Sequence, residues 1–147
     1  MRIQKNLMWF IGVLLSMVLI LSSCDDGNDD RPLKYSINEK TNNAILGPLE
    51  NASVSIYQLT DLENSIEKTT TGNLGSFDVS LGGINDNELL LVSIEGGNDI
   101  DVNIDGIIDI TPTEHKGTIN ALAKASDLKS GKVNVTLLSE IIYQHAR

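Results

Sequence analysis

The chain has 147 residues and a formal net charge of −9 at pH 7. All 20 acidic residues lie after position 24, together with 9 of the 11 basic residues, so this part of the chain carries −11. Nucleic acid and anionic lipid head groups are bound through clustered lysine and arginine, and this balance argues against nucleic-acid binding. Residues 24–147 also hold only four aromatic residues and two histidines, which argues against an aromatic sugar-stacking platform and a histidine-rich metal site.

The first 23 residues have the layout of a secretory signal. Arg2 and Lys5 precede an apolar run from Leu7 to Leu21, and this order is typical of export signals. Fifteen helical residues rise about 22 Å against roughly 30 Å of hydrocarbon, so the run is short for a permanent transmembrane helix. It ends in Leu21-Ser22-Ser23-Cys24, which resembles the bacterial lipoprotein box. The resemblance implies cleavage before Cys24 and covalent acylation of Cys24 with fatty acids such as palmitate; the alternative is a buried or free thiol in a secreted protein.

An acidic tether is expected to follow the anchor. Residues 24–33 contain four aspartates between 25 and 30 and almost no apolar side chain. Such a segment has too little apolar surface to offset the conformational entropy lost on folding, and is therefore expected to stay flexible. About ten flexible residues reach near 20 Å. A protein lipid-anchored to a membrane of the bacterial cell envelope is therefore expected, with inner membrane, outer membrane and surface all left open.

From residue 34 onward, period-2 alternation and turn residues about every ten positions predict an all-β antiparallel β-sandwich of about seven strands. The clearest strand is the fourth, in which Phe77, Val79 and Leu81 share one face. The predicted strands are Lys34–Asn38, Ser53–Leu59, Ile66–Thr71, Ser76–Leu81, Glu88–Glu95, Thr118–Ala125 and Val133–Leu137.

Two segments of this region carry a family resemblance. Residues 47–57 (GPLENASVSIY) and 69–79 (TTTGNLGSFDV) resemble the G-x-P-L-x-x-A-x-V and T-T-D-x-x-G-x-F patterns of the carboxypeptidase regulatory-like domain. The resemblance covers roughly residues 34–95, within a sandwich expected over 34–136, and implies a transthyretin/prealbumin-like fold. Each motif residue has a mechanical reason: Gly47 and Pro48 shape a turn, Ala52 allows the sheets to approach, Gly75 closes a hairpin and Phe77 fills the core.

The same resemblance implies a non-catalytic module, because domains of this kind act mostly as spacers or interaction domains at bacterial surfaces. The superfold also includes a hydroxyisourate hydrolase, whose site needs several converging histidines and a Tyr-Arg-Gly-Ser tail. Here only His115 and His145 are present and the chain ends in YQHAR. We therefore expect that the protein is not an enzyme.

One segment has the spacing of a calcium loop. Residues 101–109 (DVNIDGIID) alternate oxygen-bearing side chains and place Gly106 at the turn, as calcium loops do. The expected ligands of a structural Ca²⁺ are Asp101, Asn103, Asp105, the carbonyl of Ile107, and Asp109. The twelfth position, usually a bidentate acid, is Pro112.

A second interpretation of the same loop is a solvated Asp/Asn turn without an ion. In that case Ile104, Ile107, Ile108 and Ile110 are expected to pack on the sandwich. If calcium binds, dissociation constants of about 10⁻⁴ to 10⁻³ M are typical of extracellular modules. Such an ion would rigidify the loop.

The last residues predict a short helix over 137–147, with Leu137, Leu138, Ile141 and Ile142 forming an apolar stripe. About ten residues are too few for an isolated helix. Either the helix docks on the sandwich, or it opens a further domain of a longer protein.

The leading functional hypothesis is a lipid-anchored, non-catalytic surface or periplasmic module with an interaction or spacer role. Its partners would be the membrane, through the lipid anchor, and an unidentified protein or glycan ligand. Two alternatives are a carbohydrate- or protein-ligand-binding module, with Tyr35 and Tyr57 as its few aromatic candidates, and the N-terminal fragment of a larger surface protein or enzyme.

Overall fold

The structure is a computed structural model that describes residues 34–146. The predicted signal (1–23), Cys24 and the predicted tether (24–33) lie outside the described residues. Residues Leu33–Arg147 cluster into one unit by their internal contacts. Within the described part of the chain, no helix is both long enough and apolar enough to cross a membrane.

The described residues are mostly β, with ten strands in three sheets. The strands are β1 (Asn42–Ile45), β2 (Leu49–Glu50), β3 (Ser53–Gln58), β4 (Asp61–Thr70), β5 (Ser76–Phe77), β6 (Leu89–Glu95), β7 (Asn98–Asp99), β8 (Thr113–Glu114), β9 (Thr118–Lys124) and β10 (Asn134–Thr136). The sheet orders are β10-β1-β5, β2-β7-β8 and β4-β3-β6-β9. Two helices follow β9 and β10: α1 (Ala125–Lys129) and α2 (Leu137–Ala146).

The four-stranded sheet is antiparallel throughout and supplies most of the core. Strands β3 and β9 alternate between buried apolar residues and more exposed ones, and β6 does so except at Leu91, so that one face packs inward. Strand β4 contains no buried residue. The buried side chains of this face are Val54, Ile56, Leu90, Val92, Ile94, Ile119, Ala121 and Ala123, and Phe77, Leu81, Leu128 and Val135 pack against them. On the other face Tyr57, Leu91 and Leu122 lie in register across three strands.

The sheet β10-β1-β5 joins distant parts of the chain. Strand β1 pairs in parallel with β10, with Asn43 opposite Asn134, and antiparallel with β5. The buried side chain of Asn42 donates to the Leu128 carbonyl at 2.8 Å and accepts the Val133 N–H at 3.1 Å. Because both polar ends of this amide are satisfied, it can lie in the core without the usual cost of burial.

Helix α2 packs against β9 and β10, as expected if the helix docks on the sandwich. Its apolar stripe does not form the contact, because Leu137, Leu138, Ile141 and Ile142 are 59%, 65%, 48% and 58% exposed. The docking side is polar.

The all-β prediction is confirmed at the level of a mostly β domain. Five predicted elements agree with the structure within one or two residues at each end: the strands at Ser53–Leu59, Glu88–Glu95, Thr118–Ala125 and Val133–Leu137, and the C-terminal helix. The prediction of about seven strands is too low, since β1, β2, β7 and β8 are short and carry no alternating pattern.

Three strand predictions need correction. Lys34–Asn38 is not a strand; this segment instead lies against residue 106, with the Tyr35 N–H donating to the Gly106 carbonyl at 3.0 Å. The strand predicted at Ile66–Thr71 begins already at Asp61. The strand predicted at Ser76–Leu81 is paired only at Ser76–Phe77, although Leu81 is buried as its alternation indicated.

Candidate functional site

Asp101 is the centre of the aspartate loop, which we define as residues 99–109. The loop begins at the last residue of β7 and leads toward β8, the antiparallel neighbour of β7. Asp101 is fully buried, and its carboxylate accepts three hydrogen bonds: from the Tyr35 hydroxyl at 2.8 Å, the Gly106 N–H at 2.9 Å and the Asp105 N–H at 3.1 Å. The loop therefore folds around the Asp101 carboxylate, and hydrogen bonds from protein donors replace those that water would make to it.

The exposed tip of the loop is a series of Asx turns. The Asn103 side chain accepts the Asp105 N–H at 3.2 Å and donates to an Asp105 carboxylate oxygen at 3.0 Å. The other Asp105 oxygen accepts the Ile107 N–H at 2.8 Å. Asparagine and aspartate stabilise such turns by bonding the backbone two residues onward.

Two further aspartates hold the base of the loop. Asp99 accepts the N–H of Asp101 at 3.0 Å and the N–H of Gly47 at 3.2 Å. Asp109 accepts the N–H of Val102 at 2.9 Å across the mouth of the loop. A Cβ atom at Gly47 would meet Asp99 Oδ1 and the Asp101 carbonyl, so glycine is needed there for the approach of the loop as well as for the turn.

The acidic surroundings shift two ionisation equilibria. Burial raises the pKa of the Tyr35 hydroxyl, and its hydrogen bond to Asp101 with the charges of Asp101, Asp99 and Asp105 raises it further. Burial opposes the ionised form of Asp101, but the hydrogen bonds from Tyr35, Gly106 and Asp105 outweigh it and hold the pKa of this carboxyl below its ordinary value. Tyr35 and Asp101 therefore form a neutral donor with a charged acceptor over a wide pH range.

The structure brings Asp101, Asn103 and Asp105 together, with Gly106 at the turn and a positive φ of 87°. Asp109 lies at the mouth of the loop, and the Ile107 N–H points at Asp105. Within residues 34–146 no group of three or more His, Cys, Asp or Glu side chains is arranged to hold a metal ion. Side-chain oxygens of Asp101, Asn103, Asp105 and Asp109 instead accept hydrogen bonds from N–H donors.

The isoleucines of the loop do not pack as the ion-free interpretation expected. Ile104, Ile108 and Ile110 are 68%, 52% and 103% exposed, and only Ile107 is partly buried. Ile104 also has a positive φ of 57°, which is strained for a β-branched residue. The loop is thus fixed by its polar network and by the buried side chain of Ile100, while Ile104 and Ile108 are exposed.

A second candidate surface is the junction of α2 with β9. Glu140 Oε2 accepts both the backbone N–H and the side-chain amide of Asn120, and Ser139 Oγ lies 3.0 Å from the Asn120 carbonyl. Ser139 Oγ also accepts the Thr136 N–H at 2.9 Å, so this one hydroxyl contacts β9 and the end of β10. The polar side of α2 therefore joins two sheet edges, and the apolar stripe faces outward.

Two grooves lie beside these elements. The first, which we call the β1–β10 groove, has a volume of about 670 Å³ and is lined by Tyr35, Glu39, Asn43, Lys132 and Asn134 among others. The second, which we call the edge groove, has a volume of about 500 Å³ and lies between β9 and β10. Both volumes fall in the range of ligand-binding sites.

No protein-family model, curated protein or solved structure matches this chain. The contacts of its own residues are therefore the basis of the functional proposal. Sequence reasoning did not anticipate that Tyr35 would bind Asp101, 66 residues away. The only local signal was an aromatic side chain in a short segment with little other apolar character, which indicates burial of Tyr35 but does not identify its partner.

Proposed function

We propose that the protein is a lipid-anchored, non-catalytic module of the bacterial cell envelope that acts by binding another macromolecule. The lipobox resemblance at residues 21–24 supports the anchor, and the acidic residues between it and Lys34 provide a solvated spacer. The resemblance of residues 47–79 to carboxypeptidase regulatory-like domains supports a non-catalytic role.

The observation that carries the interaction role, rather than a spacer role, is the orientation of α2. A helix that only completed a domain would bury its apolar stripe. Here Ser139 and Glu140 contact the sheet, and Leu138 and Ile142 on the apolar side are 65% and 58% exposed. Contiguous exposed apolar side chains of this kind mark interaction surfaces.

Photo-crosslinking in the bacterial cell tests this role. A photo-reactive phenylalanine derivative in place of Leu138 should give a discrete adduct larger than the protein alone. The same group in place of Glu63, an exposed residue of β4 that is distant in sequence from α2, is the control. Adducts from neither Leu138 nor Ile142, or equal adducts from position 63, would contradict a binding role for α2.

The anchor has its own test in metabolic labelling with a fatty-acid analogue. Wild-type protein should be labelled, and Cys24→Ala should not. Ser23→Ala keeps a small residue in the lipobox and is the matched control that should still be labelled. Equal labelling of the wild type and Cys24→Ala would refute lipidation at Cys24.

We further propose that the fold is of the transthyretin type. Three motif residues make contacts that support this. Gly75 has a positive φ of 74° and no room for a side chain, since a Cβ would meet the Ala44 carbonyl. Ala52 is fully buried, and a Cβ at Gly97 would come within 2.7 Å of it. Phe77 is buried in the core.

A weak calcium site in the aspartate loop remains part of the proposal. Its support is the oxygen-rich donor set of Asp101, Asn103, Asp105, Asp109 and the Ile107 carbonyl, which suits a hard cation. The Asx turns already hold the loop in shape without the ion, so binding would add rigidity by turning oxygens from N–H donors to the metal.

A second candidate function is small-ligand binding, such as of a glycan, in the β1–β10 groove. The polar lining of Glu39, Asn43, Lys132 and Asn134 favours a hydroxyl-rich ligand, and Tyr35 supplies one aromatic ring. Titration of the labelled protein with oligosaccharides by NMR tests this function. Shifts confined to the amides of these residues would support it.

A further inference from the structure

We propose that the edge groove binds an extended polypeptide segment of a partner, which adds a strand to the free edge of β9. The inference deepens the interaction role proposed above by naming the class of partner. It depends on the backbone of β9 and β10, and so it can fail or succeed independently of the outward face of α2.

The direction of the β9 backbone groups follows from a single residue. The Asn120 N–H donates to Glu140, which is not part of the sheet, so the N–H of Asn120 points away from β6. Peptide groups alternate direction along a strand, so those of Leu122 and Lys124 point the same way. The bond from the Ala125 N–H to the Glu88 carbonyl, on the β6 side, agrees with this alternation.

Helix α2 and strand β10 both contact β9, and among these outward N–H groups only that of Asn120 has a hydrogen-bond partner in the described residues. Glu140 and Ser139 bind the N–H and the carbonyl of Asn120. Strand β9 is the last strand of its sheet, and no further strand of residues 34–146 pairs with that side of Leu122 or Lys124. Unpaired peptide groups at a sheet edge are a template for strand addition.

The far wall of the groove limits what can enter. The Asn43 N–H donates to the Val133 carbonyl at 2.9 Å, so the N–H and the carbonyl of Asn134 point away from β1. Val133 and Asn134 line the groove together with Leu122 and Lys124. The groove has a volume of about 500 Å³ and is bounded by β9 on one side and by Lys132, Val133 and Asn134 on the other, so the proposed occupant is one short extended segment.

The side chains around the edge specify the partner. Leu122 continues the row formed by Tyr57 and Leu91, so the residue paired with Leu122 is expected to be apolar. Lys124 and Lys132 both line the groove, and neither forms an ion pair with a carboxylate of residues 34–146. Although Asp127 is also in the lining, the two lysines favour an acidic residue opposite Lys124.

A designed peptide tests the proposal without knowledge of the natural partner. The probe is a fluorescein-labelled peptide, Ser-Thr-Glu-Thr-Val with an amidated C-terminus, which in antiparallel register places valine opposite Leu122 and glutamate opposite Lys124. It ends before Asn120, whose backbone groups are already bound by α2. Its binding to the full-length protein in detergent micelles is followed by fluorescence anisotropy. The matched control peptide carries N-methyl groups on the glutamate and valine amides, which removes the donors but keeps both side chains.

A pair of variants separates backbone pairing from charge. Lys124 has φ −72° and follows an extended residue, so proline fits at this position, and its outward N–H is not used by β6. Lys124→Pro removes that donor and should weaken peptide binding about tenfold or more. Lys124→Ala keeps the donor and should weaken it a few-fold at most.

The proposal holds if the wild type and Lys124→Ala bind the probe while Lys124→Pro and the N-methylated peptide lose binding. It is overturned if the wild type does not bind at millimolar peptide, or if the N-methylated peptide binds as well as the probe. Thermal melting checks that Lys124→Pro is folded; if it is not, the comparison of the two peptides on the wild type decides alone. A wild-type dimer that Lys124→Pro abolishes would overturn it in favour of a second copy. Crosslinks from α2 without peptide binding would remove this inference and leave the proposed function standing.

Discussion

Glu140 Oε2 accepts the backbone N–H of Asn120 at 2.6 Å and the Asn120 side-chain amide at 2.9 Å. One carboxylate oxygen thus closes part of a sheet edge that would otherwise expose unpaired peptide groups. The contact also determines which side of α2 faces the domain. Helix α2 is held by its polar side because Glu140, whose carboxylate accepts both hydrogen bonds from Asn120, lies on that side.

Glu140→Ala should therefore loosen α2 without unfolding the core. Loss of a charged acceptor is expected to lower the free energy of unfolding by about 1–2 kcal/mol. Amide hydrogen exchange should show faster exchange at Asn120 and through α2, with β3 and β6 unchanged. Gln144→Ala, which removes only the partner of the other Glu140 oxygen, is the control. Unchanged protection at Asn120 would show that Glu140 does not hold the helix.

Tyr35→Phe tests the link between the entry segment and the aspartate loop. The variant removes one donor to a buried carboxylate, and denaturant unfolding at pH 7 should show a loss of about 1.5–3 kcal/mol. Tyr57→Phe is the matched control, because the Tyr57 hydroxyl has no hydrogen bond to the described residues. Since the pKa of Tyr35 is raised in the folded protein, wild-type stability should also fall as the pH rises above about 10, the ordinary tyrosine value. Equal stability of the wild type and Tyr35→Phe would rule out this link.

The pH dependence of stability should report on Asp101. Its pKa is lower in the folded protein than the ordinary value near 3.9. Its contribution is therefore present above about pH 4 and is lost as the pH falls through the lowered folded value. Asp101→Asn should be less stable than the wild type at pH 7, and the difference should shrink below about pH 4. Asp78→Asn, at an exposed aspartate without hydrogen bonds to the described residues, should show no such convergence.

Gly75 and Gly83 have similar backbone angles but different surroundings. Substituting each by alanine therefore separates the cost of a positive φ from the cost of a steric clash. Gly75 and Gly83 have φ values of 74° and 81°. A Cβ at Gly75 would meet the Ala44 carbonyl and lie 3.0 Å from the Leu49 nitrogen, whereas nothing lies within 4 Å at Gly83. Gly83→Ala should cost about 1–2 kcal/mol from the positive φ alone, and Gly75→Ala about 1–3 kcal/mol more. Equal losses in denaturant unfolding would mean that the Ala44 contact yields without cost.

Calcium should stabilise the protein only slightly if the aspartate loop binds it. With millimolar Ca²⁺ and a dissociation constant of the weak class, the gain over chelator is about 0.5–1.5 kcal/mol. Thermal melting of the full-length protein measures this gain. Asp105→Ala should remove it, and Asp61→Ala, at an aspartate outside the loop, should not. A midpoint unaffected by calcium, with unchanged amide exchange at Gly106, would exclude a structural ion.

Elements with regular alternation could be predicted from the sequence. Strands β3 and β9 bury every second side chain, and β6 does so with Leu91 buried in addition. The predicted bounds of the three strands differ from the observed ones by at most one residue. The same alternation at Ser76–Leu81 identified a buried face correctly but not a ladder, because pairing depends on a neighbouring strand that reaches no further than Phe77.

Elements built on long-range polar contacts could not be predicted. Strand β1 begins with two asparagines, which in isolation indicate a turn. Asn42 can nevertheless be buried because it forms hydrogen bonds with Leu128 and Val133. These partners lie 86 and 91 residues away, so no local pattern reveals them. The amphipathic pattern of α2 predicted a helix but not its docking side, which is set by Asn120. Likewise, the spacing of residues 101–109 predicted a turn rich in oxygen ligands, but not that Tyr35 would occupy one side of Asp101.

The parallel pairing of β1 with β10 gives the protein a mechanical property. Asn43, Ala44 and Ile45 lie opposite Asn134, Val135 and Thr136 in the same direction. A pull on the N-terminal side of β1 and the C-terminal side of β10 therefore slides the two strands along each other and loads all of their hydrogen bonds together. Opening them one at a time would need far less force. A protein held at a membrane by its N-terminal side, with a partner on α2, would bear tension through this short shear clamp.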